Sequence, residues 1–238
     1  MRIYQKRDLT IMETPTEYIV FSCDSTGGIG RKPGDSLQVD PFLVGRYSAR
    51  VALIEILSVG AHPVILINTL CVEMHPTGEK IIQGIQKEAG NIAIITGSCE
   101  ENIKTIQTGI GITAVGITQS PKINMCKKGE YILAIGTPSV GADVLAHKHD
   151  FLTIDDMKNL RQLPYIGDIL PVGSQGIKKE ALHLGSIHFF ENSLDMDTSC
   201  GPSTAILVTL PAQAIDTLQS WLNQPIHIIG EILEPTLD

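Results

Sequence analysis

Between Asp40 and Gly60 the stretch DPFLVGRYSARVALIEILSVG permits little besides a helix. Asp40-Pro41 supplies an N-cap and a first helical residue, since proline's fixed φ suits the first turn and its missing N–H is not needed there. Val44, Tyr47, Val51, Ile54 and Leu57 recur at helical spacing, and Gly60 suits the position just past a helix end. An unbroken apolar run over 64–71 follows at once and reads as a buried strand. A long helix delivered straight into a buried strand commits this region to a mixed α and β core.

The alternation continues on both sides. Residues 18–23 read as a strand, 25–35 as a Gly/Lys/Pro loop and 36–39 as a short strand. Thr77 can cap a second helix that carries Ile81, Ile82, Ile85 and Ala89 on one side and ends at Gly90. Residues 92–95 and 110–117 read as further strands. Over 121–129 the pattern breaks into a polar, lysine-bearing connection, which divides the chain into expected domains 1–125 and 126–238. Beyond it come a strand at 131–135, helical stretches at 154–163 and 174–184, and strands at 187–190 and 205–210. A proline-opened helix at 211–222 and a strand at 226–233 complete the pattern. The pattern does not fix the order of the strands.

Composition narrows the function classes. With 238 residues, 43% hydrophobic and 18% charged, the chain can bury a sizeable core and is not disordered. The net charge of −8 and the lack of a basic run argue against a surface that tracks nucleic-acid phosphates. The start MRIYQKRDLT has no apolar signal core, and no stretch approaches the roughly 20 apolar residues of a membrane span, so the expectation is a cytoplasmic protein without a membrane partner. Five scattered cysteines with no CxxC read as reduced thiols and not as a zinc site.

Chemistry concentrates where the strand at 18–23 meets FSCDSTGGIGRKPGD. An acid, Asp24, precedes two hydroxyls and then three glycines, Gly27, Gly28 and Gly30. Glycines let a backbone approach an anion, and Lys32 adds positive charge. Asp24 and Asp35 are of the type that holds Mg²⁺ together with substrate phosphates. The alternative is a plain hairpin loop with solvated charges. Glu55 shares a helical stripe with Gly45, Ser48 and Ala52, at spacings of ten, seven and three. It is a desolvated acid that wants a cation, or a solvent-facing glutamate on a polar stripe. In TGSCEEN, Glu100 and Glu101 follow an apolar strand and suit a metal, or Ser98 caps a helix with the two acids in its first turn. In the second half, DTSCGPS places Asp197 beside hydroxyls and Cys200, whose role as a nucleophile has no nearby histidine to support it.

In their order, these pieces resemble the aminoimidazole-ribonucleotide (AIR) synthetase superfamily, which includes thiamine-monophosphate kinase, selenophosphate synthetase and the hydrogenase-maturation carbamoyl dehydratase. The carrying motifs are VFSCD, ALIEILSVGAHP with Glu55 where the family usually has Asp, IITGSCEEN with Thr96-Gly97 for paired glycines, and KKGEYILAIGTPSVG. The chain departs in lacking the N-terminal double Asp of thiamine-monophosphate kinases and the reactive arm of selenophosphate synthetases. It also ends EPTLD, without the dehydratase's terminal Cys, and its second domain is short. CDSTGGIGRKPGD, VEMHPTGEKIIQGI, GSCEENIKTIQTGIG and TSCGPST look like the α-ribazole kinases of cobamide salvage.

The resemblance implies an α+β, two-domain, AIR synthase-like fold: an N-terminal sheet forming a dimer barrel, plus a short α/β C-terminal domain. It implies a homodimer that uses ATP and Mg²⁺ to phosphorylate the small molecule α-ribazole. Asp24, Glu55, Glu100 and Glu101 would then hold metal, with Gly27, Gly28, Gly30, Lys32 and Asp35 around the phosphates. Asp24 would then be a catalytic residue, and Asp197, from its place in a hydroxyl-rich loop and not from the resemblance, is a candidate general base. The alternatives are another enzyme of the superfamily or a non-catalytic nucleotide-binding protein.

Overall fold

The computed structural model describes residues 1–236, so the last two residues of EPTLD, Leu237 and Asp238, lie outside the described residues. The chain divides into two compact units, residues 1–57 with 61–121 and residues 58–60 with 122–238.

The first unit holds strands β1 (Arg2–Lys6), β2 (Leu9–Glu13), β3 (Tyr18–Gly27), β6 (His62–Leu70), β7 (Ile94–Cys99) and β8 (Gly109–Thr118) in one sheet, ordered β1-β2-β3-β8-β6-β7. Two-residue strands β4 (Ile29–Gly30) and β5 (Leu37–Gln38) close a loop beside it. The helices are α1 (Pro41–Ser58) and α2 (Glu79–Ala89). Neighbouring strands of the large sheet run antiparallel except β6 and β7, which are parallel and joined across α2.

Local chemistry explains these elements. The Asp40 carboxylate accepts from the Phe42 N–H at 3.0 Å, which is the expected cap of α1. On β3 and β8, buried and half-buried residues alternate, so Val20 and Ser22 face the core together with Ile112 and Ala114. α1 lies on this face: the Ser48 and Thr26 hydroxyls meet at 2.7 Å, and a Cβ on Gly116 would strike Ile56. α2 crosses α1 with no side chain between them. A Cβ on Gly45 would collide with the Ile81 carbonyl, and one on Gly84 with the Phe42 carbonyl. Gly45 in the small-residue stripe is therefore explained by a second helix backbone and not by a ligand. Glu88 of α2 receives Arg46 at 2.7 Å and Arg50 at 3.6 Å and fastens the crossing.

Several elements differ from the sequence expectation. β3 does not stop before Asp24; it runs on to Gly27, because residues 24–27 pair with residues 109–112 of β8. β7 starts later and continues through Thr96-Gly97-Ser98-Cys99, paired with the end of β6, so this stretch is a strand and not a turn. The helix expected to be capped by Thr77 begins at Glu79, after a separate π-type turn, Met74–Gly78. The β1–β2 hairpin was not expected, since RIYQK carries charge at both ends.

The second unit is a five-stranded antiparallel sheet ordered β10-β12-β9-β13-β11. Its strands are β9 (Tyr131–Gly136), β10 (Ile169–Pro171), β11 (Gly185–Phe189), β12 (Ala205–Leu210) and β13 (Ile226–Pro235). Helices α3 (Ile154–Gln162), α4 (Gly176–Ala181) and α5 (Ile215–Trp221) complete it. Ile132, Ala134, Leu207 and Ile229 pack with Ile177 and Leu184 in its core. α3 opens on a capping box between Thr153 and Asp156. The helix expected over 211–222 is split into a 3-10 turn, Ala212–Ala214, and α5. Buried Asp168 accepts from the Met125 and Cys126 amides at 2.7 Å and from the Asn124 amide at 3.1 Å, which pins the chain where it enters this unit.

Candidate functional site

Asp24 lies on the helix-facing side of β3, in the same row as Ser22 and Thr26. Burial raises its pKa above the usual carboxylate value, and a bond from the Ser25 backbone offsets this only in part. Among the described residues no cation pairs with it. A partly desolvated carboxylate without a counter-charge is a place where a cation binds favourably.

Downstream of Asp24, the ends of β3, β6 and β7 and the start of β8 come together, since Gly27 pairs with Gly109 and Leu70 with both Ile110 and Cys99. Segments 28–39, 71–78 and 100–108 therefore share one end of the sheet. They are tied to each other. The Gly28 amide donates to the Thr108 carbonyl at 2.9 Å, and the Gly34 amide to the Ile106 carbonyl at 2.8 Å. The Gln107 side chain donates to the Gly34 carbonyl at 2.7 Å.

Much of the glycine-rich loop is explained by this internal bonding. Gly28 has φ +70°, a left-handed backbone that side chains disfavour. A Cβ on Gly30 would collide with the Thr108 hydroxyl and the Asp35 carboxylate. Gly27 alone among these three has open space where a Cβ would sit. Asp35 is buried and saturated: it accepts from the Thr108 amide at 2.7 Å, and from the Thr108 hydroxyl and the Lys32 amide at 2.8 Å. Burial alone would raise its pKa, but these bonds outweigh burial and hold it below the usual range. Lys32 is likewise engaged. Its ammonium donates to Glu73 at 2.9 Å and to the Thr105 carbonyl and hydroxyl at 2.9 and 2.7 Å. The hydrogen bond from Lys32 holds Glu73 below the usual glutamate value.

Asp35 therefore acts as a clamp of the loop. Its depressed pKa means that the stability it supplies is fully present above the unfolded value of about 3.9 and is lost as pH falls through the folded value. Replacing Asp35 with Ala leaves two amides and a hydroxyl without their acceptor, and is expected to cost about 3 kcal/mol at pH 7. Urea unfolding of both proteins as a function of pH checks this, with the gap between them closing below about pH 4.

The other acids are spread more widely. Glu55 is half-buried on α1, two helical turns beyond Ser48 and on the same face. Glu100 and Glu101 are exposed and followed by no helix, so the capped-helix alternative does not apply. Glu100 accepts from the Asn102 amide at 2.7 Å, and Glu101 from the Met74 amide at 2.9 Å. Among the described residues no three His, Cys, Asp or Glu side chains are grouped to hold a metal ion. One or two carboxylates remain a suitable donor set for Mg²⁺, which keeps waters and takes its other oxygens from substrate phosphates.

In the second unit, Asp197 is exposed and belongs to a turn organised by Asp195, which accepts from the Asp197 and Thr198 amides at 3.0 and 3.1 Å. Cys200 is fully buried, and burial pushes its thiol up to about 12, so it stays protonated and is not a nucleophile. Sequence reading missed Glu73, Thr105 and Thr108 as anchors. They lie in irregular segments where no periodicity marks a side chain, and their partners are 41 to 73 residues away.

Residues 7–118, just under half of the chain, match the family described as AIR synthase related protein, N-terminal domain. A search among curated proteins finds no match. The thiamine monophosphate kinase from Aquifex aeolicus superposes with a TM-score of 0.69 at 15% identity, covering 96% of this chain and 89% of that one. AaThiL complexed with AMPPCP and TMP gives 0.64 at 14% identity, covering 95% and 84%. HypE of E. coli, a hydrogenase maturation protein, gives 0.67 at 17% identity, covering 91% and 80%. At these identities the likeness is one of fold, and it supports an AIR synthase-like architecture. No helix among the described residues is long and apolar enough to cross a membrane.

Proposed function

We propose that the chain is an ATP-dependent phosphotransferase built on this AIR synthase-like fold, and that it transfers the γ-phosphoryl group of Mg-ATP to the ribose 5′-hydroxyl of α-ribazole. The observation that carries the enzymatic reading is Asp24: a half-buried, cation-free carboxylate on the strand that runs into the glycine-rich loop. The α-ribazole assignment rests on the resemblance of CDSTGGIGRKPGD and TSCGPST. Asp24 and Glu55, with one or both of Glu100 and Glu101, hold Mg²⁺, and the loop from Gly27 to Asp35 lies against the phosphates. Mg²⁺ would supply neutralisation of the charge that develops on the transferred group. Phosphoryl transfer asks a protein mostly for positioning and charge stabilisation, which fits a site of acids and backbone. Asp197 is proposed as the general base.

Thiamine monophosphate is the second acceptor to consider, because two of the fold neighbours carry that kinase's name and one is complexed with TMP and AMPPCP, an ATP analogue. Product analysis separates the readings. A kinase leaves a phosphate on its acceptor, a cyclo-ligase or dehydratase leaves a ring or a nitrile, and a non-catalytic protein binds ATP without acceptor-dependent ADP release.

The working form proposed is a homodimer. α1, with α2 against it, occupies one face of the six-stranded sheet, and the opposite face carries half-buried Ile19, Phe21, Ile65, Ile67, Val115 and Ile117. Ile94, in the same face at the β7 edge, is 73% exposed. A second copy presenting the same face buries this surface. Phe21→Asp is expected to shift the protein from dimer to monomer in light scattering at micromolar concentration. A wild-type protein that is already monomeric there contradicts the dimer.

A further inference from the structure

We infer that Glu73 and Thr105 are positioning residues that act through Lys32, locking the glycine-rich loop into its working shape before nucleotide arrives, so that Lys32 is a latch and not a phosphate ligand. The inference rests on the reading of that loop as the nucleotide cradle. Its grounds are geometric.

The Lys32 ammonium has three N–H donors, and each has an acceptor: Glu73 at 2.9 Å, the Thr105 carbonyl at 2.9 Å and the Thr105 hydroxyl at 2.7 Å. The side chain is only 8% exposed. Its acceptors come from two different segments, one following β6 and one preceding β8, so a single side chain joins all three loops at this end of the sheet. Thr105 is itself held, since its hydroxyl donates to the Cys71 carbonyl at 3.0 Å. On its other side, the loop is fixed by Asp35 on Thr108 and by the Gly34 amide on Ile106.

Swinging Lys32 out to a phosphate would break three hydrogen bonds at once and pull a buried ammonium away from the Thr105 carbonyl and hydroxyl, although Glu73, 39% exposed, can turn to water. The cheaper arrangement keeps the latch closed and presents the loop preformed, which lowers the ordering cost of binding. Loss of the latch then weakens nucleotide binding and leaves the chemical step nearly untouched.

Amide hydrogen exchange on the nucleotide-free full chain tests this, comparing wild type with Glu73→Gln, Thr105→Val and Lys32→Met. The reporters are the Gly28, Gly34 and Asp35 amides, which are bonded within this cluster. Expected are exchange at least about tenfold faster at these three amides in Glu73→Gln, a KM for ATP raised about tenfold, and kcat held within about threefold. If Lys32→Met does not fold, Glu73→Gln and Thr105→Val decide the matter. A raised KM with unchanged exchange would overturn the latch, because Lys32 would then be meeting phosphate directly. Unchanged exchange in all variants would overturn it as well. The exchange experiment needs no ATP turnover, so failure of the nucleotide reading is told apart from failure of the latch.

Discussion

Asp24→Asn is expected to lower phosphoryl transfer by about 10²–10³-fold while leaving the protein at least as stable as wild type. The two halves of that result have one cause. Burial raises the pKa of Asp24 above its unfolded value. The folded state therefore holds this proton more tightly than the unfolded chain, and stability falls as pH rises from the unfolded value through the folded one. Above the folded value the metal-free protein carries that whole penalty. Asparagine keeps the size and removes the charge, so the penalty disappears together with the attraction for Mg²⁺. Thermal melts in the absence of metal, set beside steady-state turnover with Mg-ATP, read both effects. A variant that turns over normally would remove Asp24 from the metal site. A variant that is clearly destabilised would show that the carboxylate has a partner in the fold.

Gly84→Val is expected to give the largest loss of stability, at least about 3 kcal/mol, with a fall in melting temperature of roughly 12 °C or more where the first unit melts on its own. A Cβ at this position meets the Phe42 carbonyl and the Arg46 amide, both of them backbone atoms of α1 that cannot rotate away. Gly45 makes the reciprocal contact on Ile81, so the two helices touch backbone to backbone over two glycines. Forcing them apart also stretches the Arg46–Glu88 ion pair, 2.7 Å long. Since α2 is the crossover between β6 and β7, the strain reaches the strand ends that carry segments 71–78 and 100–108. Calorimetry of the variant checks this, and an unshifted transition would mean that the crossing is looser than described.

Asp24 and Gly45 also mark what could be read from the sequence. The helix at 41–58 announced itself through Asp40-Pro41 and its apolar periodicity, and the strand at 205–210 through six consecutive strand-compatible residues, all six of them buried. Gly45 stood out in a stripe with Ser48, Ala52 and Glu55, but nothing in the sequence said what packs against it; the partner, Ile81 of α2, lies some 36 residues further on. Asp24 stood out because an acid ended an apolar run, yet the run continues as strand to Gly27, since pairing with β8 overrides the local turn preference of Ser25, Thr26 and Gly27. The Lys32–Glu73–Thr105 cluster was not readable at all. Its members are polar residues in irregular segments, and only long-range hydrogen bonds bring them together.

The most direct test of the central claim is mass spectrometry of the acceptor after incubation of the purified protein with Mg-ATP and α-ribazole, with thiamine monophosphate in parallel. The expected result is that α-ribazole gains one phosphate, with one ADP released for each product molecule, and that Asp24→Asn loses both. A phosphate gained by thiamine monophosphate instead would keep the phosphotransferase and discard the acceptor. ATP that binds tightly while neither acceptor gains phosphate would contradict the account and leave a nucleotide-binding protein without phosphotransferase activity.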